Sequence, residues 1–132
     1  SGSEESIDLA SKSLKTIGAK VIPLSVSGAF HSKLMSEAKN KLSEIINTSS
    51  FNEVCYPIVS NFNAKPNRSI EAIKHALIEQ IDNPVQWSKS IKSLGELSNN
   101  FVEIGPKKVL NNIIKKIDDS LTITTYNSIK NL

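Results

Sequence analysis

Cysteine is almost missing from this chain of 132 residues: Cys55 stands alone. That excludes an internal disulfide and leaves no CxxC or Cys/His spacing for zinc, so a reducing, cytoplasmic setting is expected. Between Val54 and Tyr56, Cys55 itself is expected to be a buried structural thiol rather than a nucleophile. No apolar run approaches the ~20 residues of a membrane span. The opening Ser1-Gly2-Ser3-Glu4-Glu5 lacks the basic and apolar regions of a signal peptide, so a soluble protein without a membrane partner is expected. Aromatic residues make up 5% of the chain, too few stacking platforms to favour single-stranded nucleic acid. Glycine occurs only at positions 2, 18, 28, 95 and 105. No pair of these frames a serine as G-x-S-x-G or builds a Gly-rich phosphate loop.

Charge is also dispersed. Sixteen basic and thirteen acidic residues give a net +3, with a pI near 9.0. Only Lys107-Lys108 and Lys115-Lys116 form basic pairs. Such lysines are ordinarily a solvated helix face, although a modest basic face can also receive an acidic protein through steering.

What is present is a regular alternation of helices and strands. At 39% hydrophobic the chain can build one modest core and no second full domain. Ser3 caps a helix with Glu4 and Glu5 in its first turn and Ile7, Ala10, Leu14 and Ile17 on one face, and Gly18 ends it. Lys20 to Val26 then reads as a strand. A helix followed at once by a strand is half of an α/β unit, so the sequence is expected to begin inside a domain. After the polar stretch from Asn47 to Asn52, Tyr56 to Ser60 is extended and Asn63 to Asn67 has turn chemistry. Ser69 caps a helix carrying Ile70, Ile73, Leu77 and Ile81. Asn83 caps the next, with Pro84 at its first position and Gln86 closing a capping box. Asn100 to Ile104 is a strand, Gly105-Pro106 leads into a helix with Val109, Leu110, Ile113, Ile114 and Ile117, and Leu121 to Tyr126 is a last β-branched segment. The alternation predicts an α/β fold with a largely parallel sheet.

Chemistry concentrates in Val26-Ser27-Gly28-Ala29-Phe30-His31-Ser32-Lys33-Leu34-Met35. An apolar extended segment turns at Gly28, and Ser32 can cap a helix with Leu34, Met35, Ala38, Leu42, Ile45 and Ile46 at helical spacing. His31 therefore stands just outside a helix N-terminus, where partial positive charge favours a neutral imidazole able to accept a proton. A packed or merely exposed histidine fits the pattern as well. A base needs a group to activate, and Ser93-Leu94-Gly95-Glu96 supplies only half of an elbow, at the end of a helical pattern with no strand before it. It is read as a helix C-terminus. Gly105-Pro106-Lys107-Lys108 opens a helix and could attract an anion.

Four blocks in this order and spacing carry a family resemblance: VSGAFHSKLM at 26–35, PIVSN at 57–61, LIEQIDNPVQWSKSI at 77–91 and FVEIGPKKVL at 101–110. The chain resembles the C-terminal two-fifths of bacterial malonyl-CoA:acyl-carrier-protein transacylases, across essentially its whole length. The resemblance implies residues 26–132 as the C-terminal part of an α/β-hydrolase-like large subdomain. Residues 1–25 would be the closing helix and strand of a ferredoxin-like small subdomain inserted in it.

The same resemblance implies transfer of a malonyl group from malonyl-CoA to the phosphopantetheine thiol of acyl carrier protein, in fatty acid biosynthesis, without metal or redox cofactor. A serine in a GHSLGE elbow is the nucleophile, His31 the base and then the acid, and the main-chain carbonyl of Gln80 orients the imidazole. Phe30 falls where related domains reading AFH accept malonyl, though packing alone would also explain it. The serine, the arginine that pairs with the malonyl carboxylate and the glutamine of the oxyanion hole all fall upstream of residue 1. The chain alone is therefore expected to be inactive. Lys33 stands where the family often has Pro, and Lys107 replaces the second Gly of GPG, both read as tolerated changes. The competing reading is a noncatalytic module that docks an acidic protein such as acyl carrier protein through Lys107, Lys108, Lys115 and Lys116. A nucleic-acid-binding domain is the weakest of the three readings.

Overall fold

A computed structural model describes residues 1–128. It is mixed α/β, in the order α1 (Glu4–Thr16), a 3₁₀ turn (Lys33–Met35), α2 (Ser36–Thr48), β1 (Ile58–Val59), β2 (Pro66–Asn67), α3 (Ile70–Glu79), α4 (Trp87–Gly95), β3 (Asn100–Ile104), α5 (Val109–Ile117) and β4 (Thr122–Tyr126).

The predicted parallel pairing is present in one place. β3 and β4 run side by side with Phe101 opposite Ile123 and Glu103 opposite Thr125, and α5 makes the crossover that parallel neighbours require. Alternation along β3 turns Phe101 and Glu103 inward and leaves Val102 and Ile104 exposed. Ile91 of α4, Ile114 of α5 and Leu121 form the buried core, with Trp87, Phe101, Ile117 and Ile123 packed on it. Each such side chain contributes roughly 1.5–3 kcal/mol by leaving water.

The other sheet of the described residues is a small antiparallel hairpin, with Ile58 opposite Asn67 and Val59 opposite Pro66. Part of the predicted turn is thus strand β2, and the reversal narrows to Ser60 through Lys65. There Ala64 takes a φ of 56° and the Asn63 side chain accepts from the Lys65 amide at 3.1 Å.

Several local expectations shift. Lys20 to Val26 is not a paired strand, since Pro23 offers no N–H and no strand of the described residues lies beside it, and the Val26 amide turns back to the Leu24 carbonyl at 3.0 Å. Helix α4 starts at Trp87, three residues later than the Asn83 cap predicts. The Asn83 amide turns back to donate to the Glu79 carbonyl at 2.8 Å, and Gln86 makes no side-chain cap. Cys55 is exposed, because the segment around it, including Tyr56, is left uncovered. The caps at Ser3 and Ser69 form as expected, accepting from Ser6 and Ala72. Ser93 to Glu96 is the end of α4, as read.

The helix α5 reveals why its N-terminus carries no sequence-adjacent cap. Glu103, buried in β3, accepts from the amides of Leu110 at 2.8 Å and Asn111 at 3.2 Å and from the Thr125 hydroxyl at 3.0 Å. The anion at the helix start that Gly105-Pro106-Lys107-Lys108 opens is thus a carboxylate of the same chain. Burial pushes the Glu103 carboxyl up, but these donors outweigh it and hold its pKa below the ordinary carboxylate value.

Candidate active site

The carbonyls of Gln80, the C-cap of α3, and of Ile81 just beyond it are met by the loop before α2. His31 donates from its backbone amide to the Ile81 carbonyl at 3.2 Å and from ring Nδ1 to the Gln80 carbonyl at 2.9 Å. A carbonyl can only accept, so Nδ1 carries the proton and Nε2 is left to accept. That bond survives protonation of Nε2, because Nδ1 keeps its hydrogen in both states.

His31, rather than Gly28, is the residue with unusual backbone, at a φ of 61°. Histidine is among the residues found there more often than most, yet the left-handed region still costs roughly 1–2 kcal/mol. Ser32 has the extended backbone of a cap, but its hydroxyl donates to the Ala29 carbonyl at 2.6 Å and caps nothing. His31 thus stands just before the 3₁₀ turn that leads into α2, as expected, and the groups bonded to it are carbonyls that follow α3.

The exposed face of His31 opens on a cleft of about 460 Å³ lined by Phe30, Met35, Ala38, Leu42, Asn61, Gln80 and Ile81. Apolar walls with a few polar groups at one side are what small-molecule sites present. Phe30, His31 and Gln80 are therefore brought together. Asn61, Met35 and Leu42 are cleft residues that sequence reasoning missed. Asn61 closes the PIVSN block and its carbonyl accepts from the Gln86 amide at 2.8 Å, which ties the hairpin to the segment before α4.

Lys107 and Lys108 precede α5 and Lys115 and Lys116 lie in its last turn, about 12 Å further along the helix. Lys115 donates to the Asp119 carbonyl at 2.8 Å.

Lys33 is more than a tolerated change. It reaches Asp82 at 2.9 Å, and Lys39 reaches both Asp82 at 3.1 Å and Glu79 at 2.7 Å. The hydrogen bond from Lys33, joined by that from Lys39, holds the Asp82 carboxyl below its ordinary range against the opposing effect of burial. Among the described residues no group of three His, Cys, Asp or Glu side chains could hold a metal ion, and no helix is long and apolar enough to cross a membrane.

No family model matches the chain. Over 123 residues it is 42% identical to the malonyl CoA-acyl carrier protein transacylase of Bacillus subtilis, covering 92% of this chain and 39% of that protein. The Staphylococcus aureus transacylase is 37% identical across all of this chain and 44% of its own length. A crystal structure of the Xanthomonas oryzae enzyme superposes with a TM-score of 0.92 at 33% identity, covering 98% of this chain and 42% of that one. A malonyl-transacylase in complex with a type II polyketide acyl-carrier protein gives 0.91 at 34%, over 98% and 42%. The chain thus spans about two-fifths of the length of the relatives it matches.

Proposed function

From this likeness to malonyl CoA-acyl carrier protein transacylases along the whole chain, we propose that the chain supplies the proton-transfer half of a malonyl transferase. The substrates are malonyl-CoA and the phosphopantetheine thiol of acyl carrier protein, and the pathway is fatty acid synthesis in the cytoplasm. A serine hydroxyl from polypeptide outside residues 1–132 attacks the malonyl thioester. His31 Nε2 takes the hydroxyl proton as the serine–acyl bond forms and the carbon–sulfur bond of coenzyme A breaks, then returns that proton to the departing thiolate. In the second half the same nitrogen takes the proton of the carrier thiol as its sulfur attacks the serine ester, and passes that proton to the serine oxygen as the serine–acyl bond breaks.

The observation that carries this reading is the 2.9 Å bond from His31 Nδ1 to the Gln80 carbonyl, with the ring exposed at an open cleft. Main-chain oxygen does here what a carboxylate does in a Ser-His-Asp site, fixing tautomer and orientation. Gln80 acts through that oxygen, so its side chain is replaceable. Phe30 forms a wall on the acyl side. Residues 1–25 are read as the end of a ferredoxin-like small subdomain and 26–132 as part of an α/β-hydrolase-like large one, positions 129–132 lying outside the described residues.

The test is malonyl transfer by the full-length protein, followed by mass spectrometry of the carrier. His31→Ala is expected to lower kcat at least about 100-fold, the ordinary worth of a positioned general base. The isolated 132-residue chain is expected to show no turnover above its own His31→Ala control, and measurable turnover would overturn the assignment of the nucleophile to other polypeptide.

A further inference from the structure

We propose that Asp82 is a positioning residue for His31, holding the loop that carries the ring through Lys33 and Lys39. The inference rests on the reading of His31 as the proton-transfer group, and it concerns side chains for which that reading has no use.

Two ties of equal sequence span join this loop to the end of α3. His31 reaches Gln80 and, two residues further along each segment, Lys33 reaches Asp82, both 49 residues apart. The second tie is ionic and much branched. Asp82 Oδ2 accepts from Lys33 Nζ at 2.9 Å and from the Ser36 hydroxyl at 3.3 Å, while Oδ1 accepts from Lys39 Nζ at 3.1 Å and Asn83 Nδ2 at 2.9 Å. Charge-assisted bonds of this kind fix geometry when the acceptor is withdrawn from water, and Asp82 is 4% exposed. Lys39 binds Glu79 as well, so one ammonium from α2 grips the residues on either side of the Gln80–Ile81 pair that receives His31.

The backbone of His31 gives this network something to do. A left-handed non-glycine residue persists only where its surroundings over-determine it. The single backbone bond to Ile81, at 3.2 Å, is at the long end of the normal range. With the charge of Asp82 removed, the 3₁₀ turn and α2 are free to shift against α3, and the Nδ1 bond loses its alignment.

The test uses the full-length protein with ¹⁵N-labelled histidine. Asp82→Asn keeps the volume and removes the charge; Lys33→Met removes one partner whose side chain is 74% exposed, and so spares the fold. In Asp82→Asn the His31 resonances are expected to move from a single Nδ1–H tautomer toward an averaged mixture, with kcat for malonyl transfer down about 10-fold and KM unchanged. Lys33→Met is expected to move both readouts less in the same direction, and Asp82→Glu to recover part of each. His31 resonances identical to wild type in both Asp82→Asn and Lys33→Met overturn the proposal, whatever happens to activity. A wild-type protein without malonyl transfer counts against the proposed function alone, and the tautomer measurement still decides the role of Asp82.

Discussion

Helix α1 and helix α5 solve the same problem with opposite resources. In α1 the orphan groups that find partners find them within a few residues. Ser3 accepts from the Ser6 amide, Glu4 and Glu5 sit at the positive end and Lys15 at the negative end. The amides of Gly18 and Ala19 return to Lys15 and Leu14, both at 3.0 Å, with Gly18 at a φ of 81°. Yet no residue of α1 is buried. In α5 the residue before the helix caps nothing, and the donors at its start are met by a carboxylate from another strand, above a core that includes its own Ile114. A helix can thus be specified locally and gain little from the fold, or be poorly specified locally and depend on it.

The largest break in this comparison is expected from the core side. Ile91 is 2% exposed beneath α5 and β4. Ile91→Ala should cost about 3 kcal/mol of unfolding free energy, by lost transfer energy and the cavity left behind. Urea unfolding followed by tryptophan fluorescence reads it through Trp87, which packs on the same cluster.

Next in size is the long-range cap. Glu103→Gln keeps the shape but places an amide against two backbone donors, and a fall in Tm of roughly 5 °C is expected at pH 7. The pH dependence has a definite sign. A carboxylate whose native pKa lies below its unfolded value binds a proton more weakly when folded. Its contribution is therefore complete above the ordinary value of 4.5 and is lost as pH falls toward and through the lowered native value. The difference between wild type and Glu103→Gln should accordingly be constant from pH 7 to about 5.5 and shrink below 4.5. A difference that grows on acidification would remove Glu103 from its capping role.

The same contrast explains what could be read from sequence. Ser3, Gly18 and Ser69 were legible because a cap and its donors lie within three residues, and β3, α5 and β4 because each has its own periodicity. The strand at Lys20 to Val26, the capping box at Gln86 and the buried thiol at Cys55 misled because each depends on what stands opposite, and pattern does not carry that. At the site, His31 stood out by its place between an extended run and a helix, and Phe30 and Gln80 came from the family resemblance. Asn61 on the hairpin and the Lys33–Asp82–Lys39 network were invisible, since Asn61 lies 30 and Asp82 51 residues from His31 along the chain. Lys33 carried the one available signal, a charged residue where the family resemblance implies proline, with its counter-charge two residues past Gln80.

The smallest expected effect sharpens the comparison from the other end. Ile17 follows α1 and is 78% exposed, so Ile17→Ala should change stability by less than about 0.5 kcal/mol although it deletes as many carbons as Ile91→Ala. Exchange of backbone amides gives the complementary view. A helix of thirteen residues with no buried side chain is near the limit of what holds together in water, so α1 amides should exchange by local opening well before those of α5. The test is hydrogen exchange on wild type and Ile91→Ala together. Loss of core packing should lower protection in α5 and β4 and leave α1 where it was, because α1 draws its order from neighbours in sequence. If α1 lost protection in step with α5, its stability would come from packing, and the local account of its caps would fail.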